Sequence, residues 1–165
     1  MFRNNIAFKG ICTIILFITM GISQVSITIE NVDLTAGTLD IFMKNIAGCS
    51  YCDDSSFDNQ VGCEVSGNNT QGGVWIFDVA IDEDACDTAN GIYFDGAVAG
   101  FEFYLAGMTI TDISGGTADL YMDFVSYHSE SGKLLGTSFS GGTIPPGSDI
   151  LTQVTFSDFD GSSIC

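Results

Sequence analysis

The sequence predicts an all-β domain: an antiparallel β-sandwich, jelly-roll or immunoglobulin-like, carrying a disulfide-stapled insertion. Three observations lead there. Twenty glycines punctuate the 165 residues between short runs of alternating apolar and polar side chains. Four Lys and Arg stand against 21 Asp and Glu, which with that glycine content is unlike a helical bundle. Four cysteines, Cys49, Cys52, Cys63 and Cys86, crowd into one polar segment. The apolar fraction of 45%, with 13 Phe, supplies a core, so the net charge of −17 does not imply disorder. The length suits one domain.

Residues 1–23 read as a secretory signal. Arg3 and Lys9 form the basic start, Ile11 to Met20 the apolar run, and Gly21-Ile22-Ser23 the small residues before cleavage. The run is shorter than the ~20 residues of a membrane span. Cleavage leaves Gln24 to Cys165 as a single domain, with a Cys-rich insertion over about 46–96. It also removes two of the four basic residues, and the rest cannot neutralise a phosphate backbone, so nucleic acid is excluded as a partner. Anionic membrane surfaces are disfavoured on the same ground. Carboxylate excess keeps a secreted chain soluble by self-repulsion, and its sharper use is a cation-binding surface.

The strands follow in order. Val25, Ile27 and Ile29 alternate against Ser26, Thr28 and Glu30, and Leu39 to Lys44 follows the Thr35-Ala36-Gly37 turn. The polar stretch 46–73 reads as a stapled loop without helix. Val74 to Ile81 places Trp75, Phe77, Val79 and Ile81 on one face, and a helical turn fits only Asp82 to Asn90. Phe101, Phe103 and Leu105 share a face opposite Glu102 and Tyr104. Asp119 to Tyr127 alternates Leu120, Met122 and Phe124 against Tyr121, Asp123 and Val125. Leu134 to Ser140 and, after the Pro145-Pro146-Gly147 turn, Ile150 to Phe156 complete seven to nine strands.

The cysteines point to export. Cys49-x-x-Cys52 has the opening spacing of a zinc site, but no second CxxC or histidine pair follows, and disulfides are expected in an oxidising compartment. Connectivity stays open. Adjacent-loop sterics favours Cys49–Cys63 with Cys52–Cys86, and Cys49–Cys52 is the other arrangement. Cys165 is left over, either unpaired or for an intermolecular bond. Asn68-Asn69-Thr70 is the N-glycosylation sequon.

Ala99-Gly100-Phe101-Glu102-Phe103 resembles the AGF-x-F strand of cohesin-type β-sandwiches. Leu135 to Gly141, Thr143-Ile144-Pro145-Pro146-Gly147 and Ile150 to Phe156 resemble their later strand–turn–strand unit, and Ile27 to Met43 their first two strands. Such modules bind partner proteins such as dockerins, and related sandwiches bind polysaccharides. The resemblance implies this fold and a non-catalytic surface-assembly role. The insertion departs from the common pattern.

Calcium takes several oxygen ligands, which singles out Asp158 and Asp160, spaced before Gly161, and then Asp82 and Asp84. Tyr104, Tyr121 and Tyr127, opposite the inferred core faces, are the candidate ligand-binding aromatics. His128 stands without a nucleophile-elbow motif, and no local carboxylate pattern indicates a glycosidase. The expectation is a secreted, non-catalytic, cohesin-like binding module, calcium being its one candidate cofactor. It would engage an extracellular protein or a polysaccharide. The alternative is a self-assembling subunit of a fibre or surface layer.

Overall fold

Val25, Ile27 and Ile29 turn inward along β1 (Val25–Asp33), as the alternation requires, and β1 pairs antiparallel with β2 (Thr38–Asn45). The computed structural model describes residues 24–159; residues 1–23, expected to be a signal, and Asp160 and Cys165 lie outside them. Asp33 closes the turn by accepting the amides of Thr35 and Ala36 at 2.8 and 2.9 Å. Those amides, Ala36 foremost, hold its carboxyl below the usual range. Gly37 has φ +68° because β10 closes on this turn: a Cβ there would lie 2.4 Å from the Phe156 carbonyl oxygen.

The chain then leaves the hairpin for the insertion, forming β3 (Gly48–Cys52), α1 (Gln60–Thr70), β4 (Trp75–Asp78), α2 (Glu83–Thr88) and β5 (Ile92–Phe94). It returns through β6 (Gly100–Tyr104), β7 (Thr109–Ser114), α3 (Gly116–Tyr121), β8 (Phe124–His128), β9 (Lys133–Thr137) and β10 (Gly147–Ser157). Three antiparallel, open-edged sheets result, in the orders β1-β2-β10-β7, β4-β3-β5 and β6-β9-β8. Leu39, Ile41 and Val154 from the first sheet and Leu134, Phe101 and Phe103 from the last share one hydrophobic core. Each fully buried Leu or Ile contributes about 1.5–3 kcal/mol.

The insertion corrects the sequence reading. The expected helix-free loop contains α1, started by Asn59, whose Oδ1 accepts the Gly62 amide at 2.8 Å. Cys63 and Gly67, four apart, are its buried residues. At Gly67 the chain leaves helical geometry, and Asn68, Asn69 and Thr70 follow with positive φ. The favoured cysteine pairing is also overturned: the bonds are Cys49–Cys86 and Cys52–Cys63. Residues three apart on a strand project to opposite faces, so Cys49 and Cys52 face apart on β3. Cys49 takes α2 and Cys52 takes α1. Glycines leave room for both bonds, since a Cβ on Gly91 would lie 2.6 Å from Cys49 Sγ and one on Gly73 would lie 2.9 Å from Cys63 Sγ.

Two more expectations change. Gly116 to Tyr121 is helix where a strand was read from Asp119, because Ala118 and Met122 face the core at helical spacing. Leu120 and Phe124, assigned to the core, are exposed, and Val125 packs inward instead. In β10, Leu151 is the extra residue of a bulge: Ile150 pairs with Phe42 and Thr152 with Ile41. Ile150 therefore leaves the face that Thr152 and Val154 share.

Candidate functional site

A groove runs between α3 and the start of β10, and its two walls have separate causes. Gly115 and Gly116, with φ +72° and +69°, turn the chain out of β7 into α3. A Cβ on Gly116 would meet the Leu151 carbonyl oxygen at 2.4 Å, so the approach of α3 to β10 demands glycine. Asp119 accepts the Gly115 amide and closes the first turn, while the Thr117 hydroxyl donates to the Ile150 carbonyl at 3.4 Å. With Ala118 and Met122 anchoring the inner side, Leu120 and Tyr121 are left in solvent, 75% and 41% exposed.

The second wall is Ile144-Pro145-Pro146-Gly147. Ile144 is fixed by reciprocal backbone hydrogen bonds with Val98, at 2.9 and 3.0 Å. Asn45, buried at the end of β2, donates from Nδ2 to the carbonyls of Gly96 at 2.6 Å and Pro145 at 2.9 Å. Gly96 has φ +84°, and a Cβ there would sit 2.6 Å from Pro146 Cβ. The exit from the insertion thus packs directly on the proline wall.

Met43, Asn45 and Ile144 floor the groove, which holds about 190 Å³ and is faced by Tyr121, Leu120 and the two prolines. A neighbouring recess of about 260 Å³ continues past Thr117 to Gly115 and Ile150. Asp149 borders both and Asp119 the second. Apolar walls ending in two carboxylates suit an amphipathic segment that carries a cation.

The candidate tyrosines occupy three places and form no strip. Tyr121 stands in the groove. Tyr104 lies on the outer face of the β6-β9-β8 sheet, with Lys133 Nζ 5.9 Å from its ring centre. Tyr127 pairs with Leu134 on the inward row at the sheet edge, and its hydroxyl donates to the Thr111 carbonyl. That bond commits Tyr127 to joining β8 with β7. His128 ends β8, exposed, its Nδ1 accepting the Ser131 amide at 3.3 Å.

The acidic candidates have local duties. Asp82 is the N-cap of α2, accepting the Ala85 amide at 2.9 Å, and Asp84 lies in the first turn, where negative charge complements the helix dipole. Among the described residues the one convergence of potential metal ligands is Cys52, Asp53 and Cys63. Both sulfurs there are bonded to each other, so the set does not fit a cation. Asp158, with φ +52°, accepts the Ser157 hydroxyl at 2.9 Å, and its expected companion Asp160 falls outside the described residues. Asn68 is exposed at the end of α1, its amide nitrogen donating to Asp53 at 3.2 and 3.3 Å. Its backbone N–H, given to Asp54, is the main cause of that carboxyl's lowered pKa.

Sequence reasoning passed over the groove because α3 was read as a strand; the Gly115-Gly116 pair before an Ala118/Met122 spacing is the signal for it. It also missed Asp123. This carboxylate accepts the Ser140 hydroxyl at 2.7 Å, the Ser140 amide at 2.8 Å and the Ser138 hydroxyl at 2.8 Å. Together they bring its pKa down to about 2, with the Ser140 hydroxyl the largest cause. The network fixes the loop that carries Phe139.

No protein family, characterised protein or solved structure matches the chain.

Proposed function

We propose that the chain is a secreted, non-catalytic binding module, a two-layer β-sandwich of cohesin-like type, which holds a segment of an extracellular partner protein in the α3–β10 groove. The observation that carries this reading is α3 itself. A six-residue helix anchored by Ala118 and Met122 leaves Leu120 and Tyr121 in water beside a proline wall, where burial by a partner is favourable. Two inward sheet faces sharing one core support the sandwich reading. The two disulfides support export. The cohesin-type segments correspond to β6, β9 and the turn into β10, which borders the groove. A net charge of −17 and the carboxylates of Asp119 and Asp149 favour a basic partner segment.

The test is selection of displayed peptides against the immobilised chain, followed by titration of the selected peptides. Peptides combining Lys or Arg with large apolar residues are expected, and Leu120→Ser with Tyr121→Ser should weaken them by about tenfold or more without changing stability. Peptides that bind these variants as well as the parent chain would overturn the groove assignment. Turnover on a glycoside panel would overturn the non-catalytic one.

A further inference from the structure

We infer that the outer face of the β6-β9-β8 sheet is where a second copy of this chain docks, about a two-fold axis. The inference rests on residues that do not line the groove. Strand register puts Tyr104, Lys133 and His128 in one outward row, Glu102, Leu135 and Ser126 in the next, and Thr137 beside Phe124 in the third. Phe139, two residues past Thr137, sets its ring 6.2 Å from that of Phe124 and tilted against it. Phe139 is 80% exposed, Phe124 44% and Tyr104 55%. These rings lie on one side of the sheet, and among the described residues no element covers them.

Charge identifies the occupant. A chain at −17 repels its own copies over most of its surface. On these rows, His128 aside, the charged groups are Glu102 and Lys133, paired with each other at 2.9 Å, so the face is balanced. Two-fold docking presents the same patch from both sides, so Glu102 of each copy can meet Lys133 of the other. A glycan is the poorer fit. The Phe124 and Phe139 planes meet at 51° and make a wedge, not the flat platform on which sugar rings stack. Five-residue strands rising ~3.4 Å per residue and spaced ~4.8 Å apart give a small face, so the dimer is weak and depends on concentration.

The test uses the full chain with Cys165→Ser, which removes any bond through that cysteine and leaves both described disulfides intact. Its mass by sedimentation equilibrium should rise from monomer towards dimer between about 10 μM and about 1 mM. Phe139→Ser, a change at an exposed side chain, should weaken association about tenfold. Glu102→Lys alone and Lys133→Glu alone should each be monomeric, and an equimolar mixture of the two should dimerise because every cross-pair is then opposite in charge. A parent chain still monomeric at about 1 mM, a Phe139→Ser dimer as tight as the parent's, or a mixture that stays monomeric would each overturn the inference. A monomer whose retention on insoluble polysaccharide falls on Phe139→Ser would overturn it in favour of a glycan surface.

Discussion

Asn45 and Pro145 are joined by a 2.9 Å hydrogen bond although 100 residues separate them in the chain. The same Asn45 nitrogen donates to Gly96, so one buried amide pins the end of β2, the exit of the insertion and the proline wall of the groove. Asn45→Ala should destabilise the chain by about 1–3 kcal/mol, because the buried Gly96 carbonyl and the part-buried Pro145 carbonyl lose their donor. Asn45→Asp should cost more, since it sets a carboxylate oxygen against those carbonyls. Urea denaturation of the three chains gives the order.

The disulfides should map as Cys49–Cys86 and Cys52–Cys63 by mass spectrometry of unreduced peptides. Gly91→Ala drives a methyl group into the first bond, where Cys49 Sγ stands 2.6 Å from the new Cβ. It should lower stability by about 1–3 kcal/mol, seen as an earlier denaturant midpoint. In a Cys49→Ala/Cys86→Ala background the same substitution should cost less, the remainder reporting the Ser50 carbonyl oxygen 2.9 Å from the new Cβ.

Removal of the Cys52–Cys63 bond by paired alanine substitution should cost about 2–4 kcal/mol locally. Both disulfides lie within the insertion, so hydrogen exchange should accelerate in α1, β3 and β4. Amides of the β1-β2-β10-β7 sheet should keep their protection. Uniform acceleration would mean the insertion and the main core unfold as one unit.

Asp123 should titrate with a midpoint of about 2, read from its carboxyl carbon by NMR. Its folded pKa lies below the ordinary aspartate value of 3.8, so its stabilising contribution is fully present above that value. It is lost as pH falls from there through the folded midpoint. The Ser138–Gly142 loop should therefore loosen in acid, with Phe139 amide exchange as the reporter. Asp123→Asn should remove that pH dependence.

Strict alternation made β1, β2 and β6 legible, and in β10 it holds from Thr152 to Phe156 while the bulge at Leu151 turns Ile150 away. Val25, Ile27 and Ile29, or Phe101, Phe103 and Leu105, can only fit a half-buried strand. Bulges hid part of the rest. In β7 the inward Ile110 and Ile113 are three apart because Thr111 is an extra residue opposite the Thr155–Phe156 step, which breaks the period of two. Helix α3 was hidden by coincidence: Leu120, Met122 and Phe124 alternate like a strand, but Met122 belongs with Ala118 across a helical turn. The insertion was illegible for another reason. Its α1 has little amphipathic pattern and is held by Asn59 and by a covalent bond whose partner the sequence does not name. Of the candidate site, Tyr121 was singled out from the sequence, but the groove depends on Asn45, Gly96 and Pro146 meeting across distant segments.

The central sheet also imposes an order of events in time. β2 is flanked by β1 at once, but its other neighbour is β10; Gln153 and Asp40, hydrogen-bonded at 2.9 Å, are 113 residues apart. While the chain is being made, Leu39, Ile41 and Met43 wait beside an unzipped backbone edge until β10 arrives. A nascent chain cut short before residue 147 lacks the strand that closes this edge. The main core therefore cannot close before residues 147–157 are made, which makes products truncated ahead of them prone to aggregate.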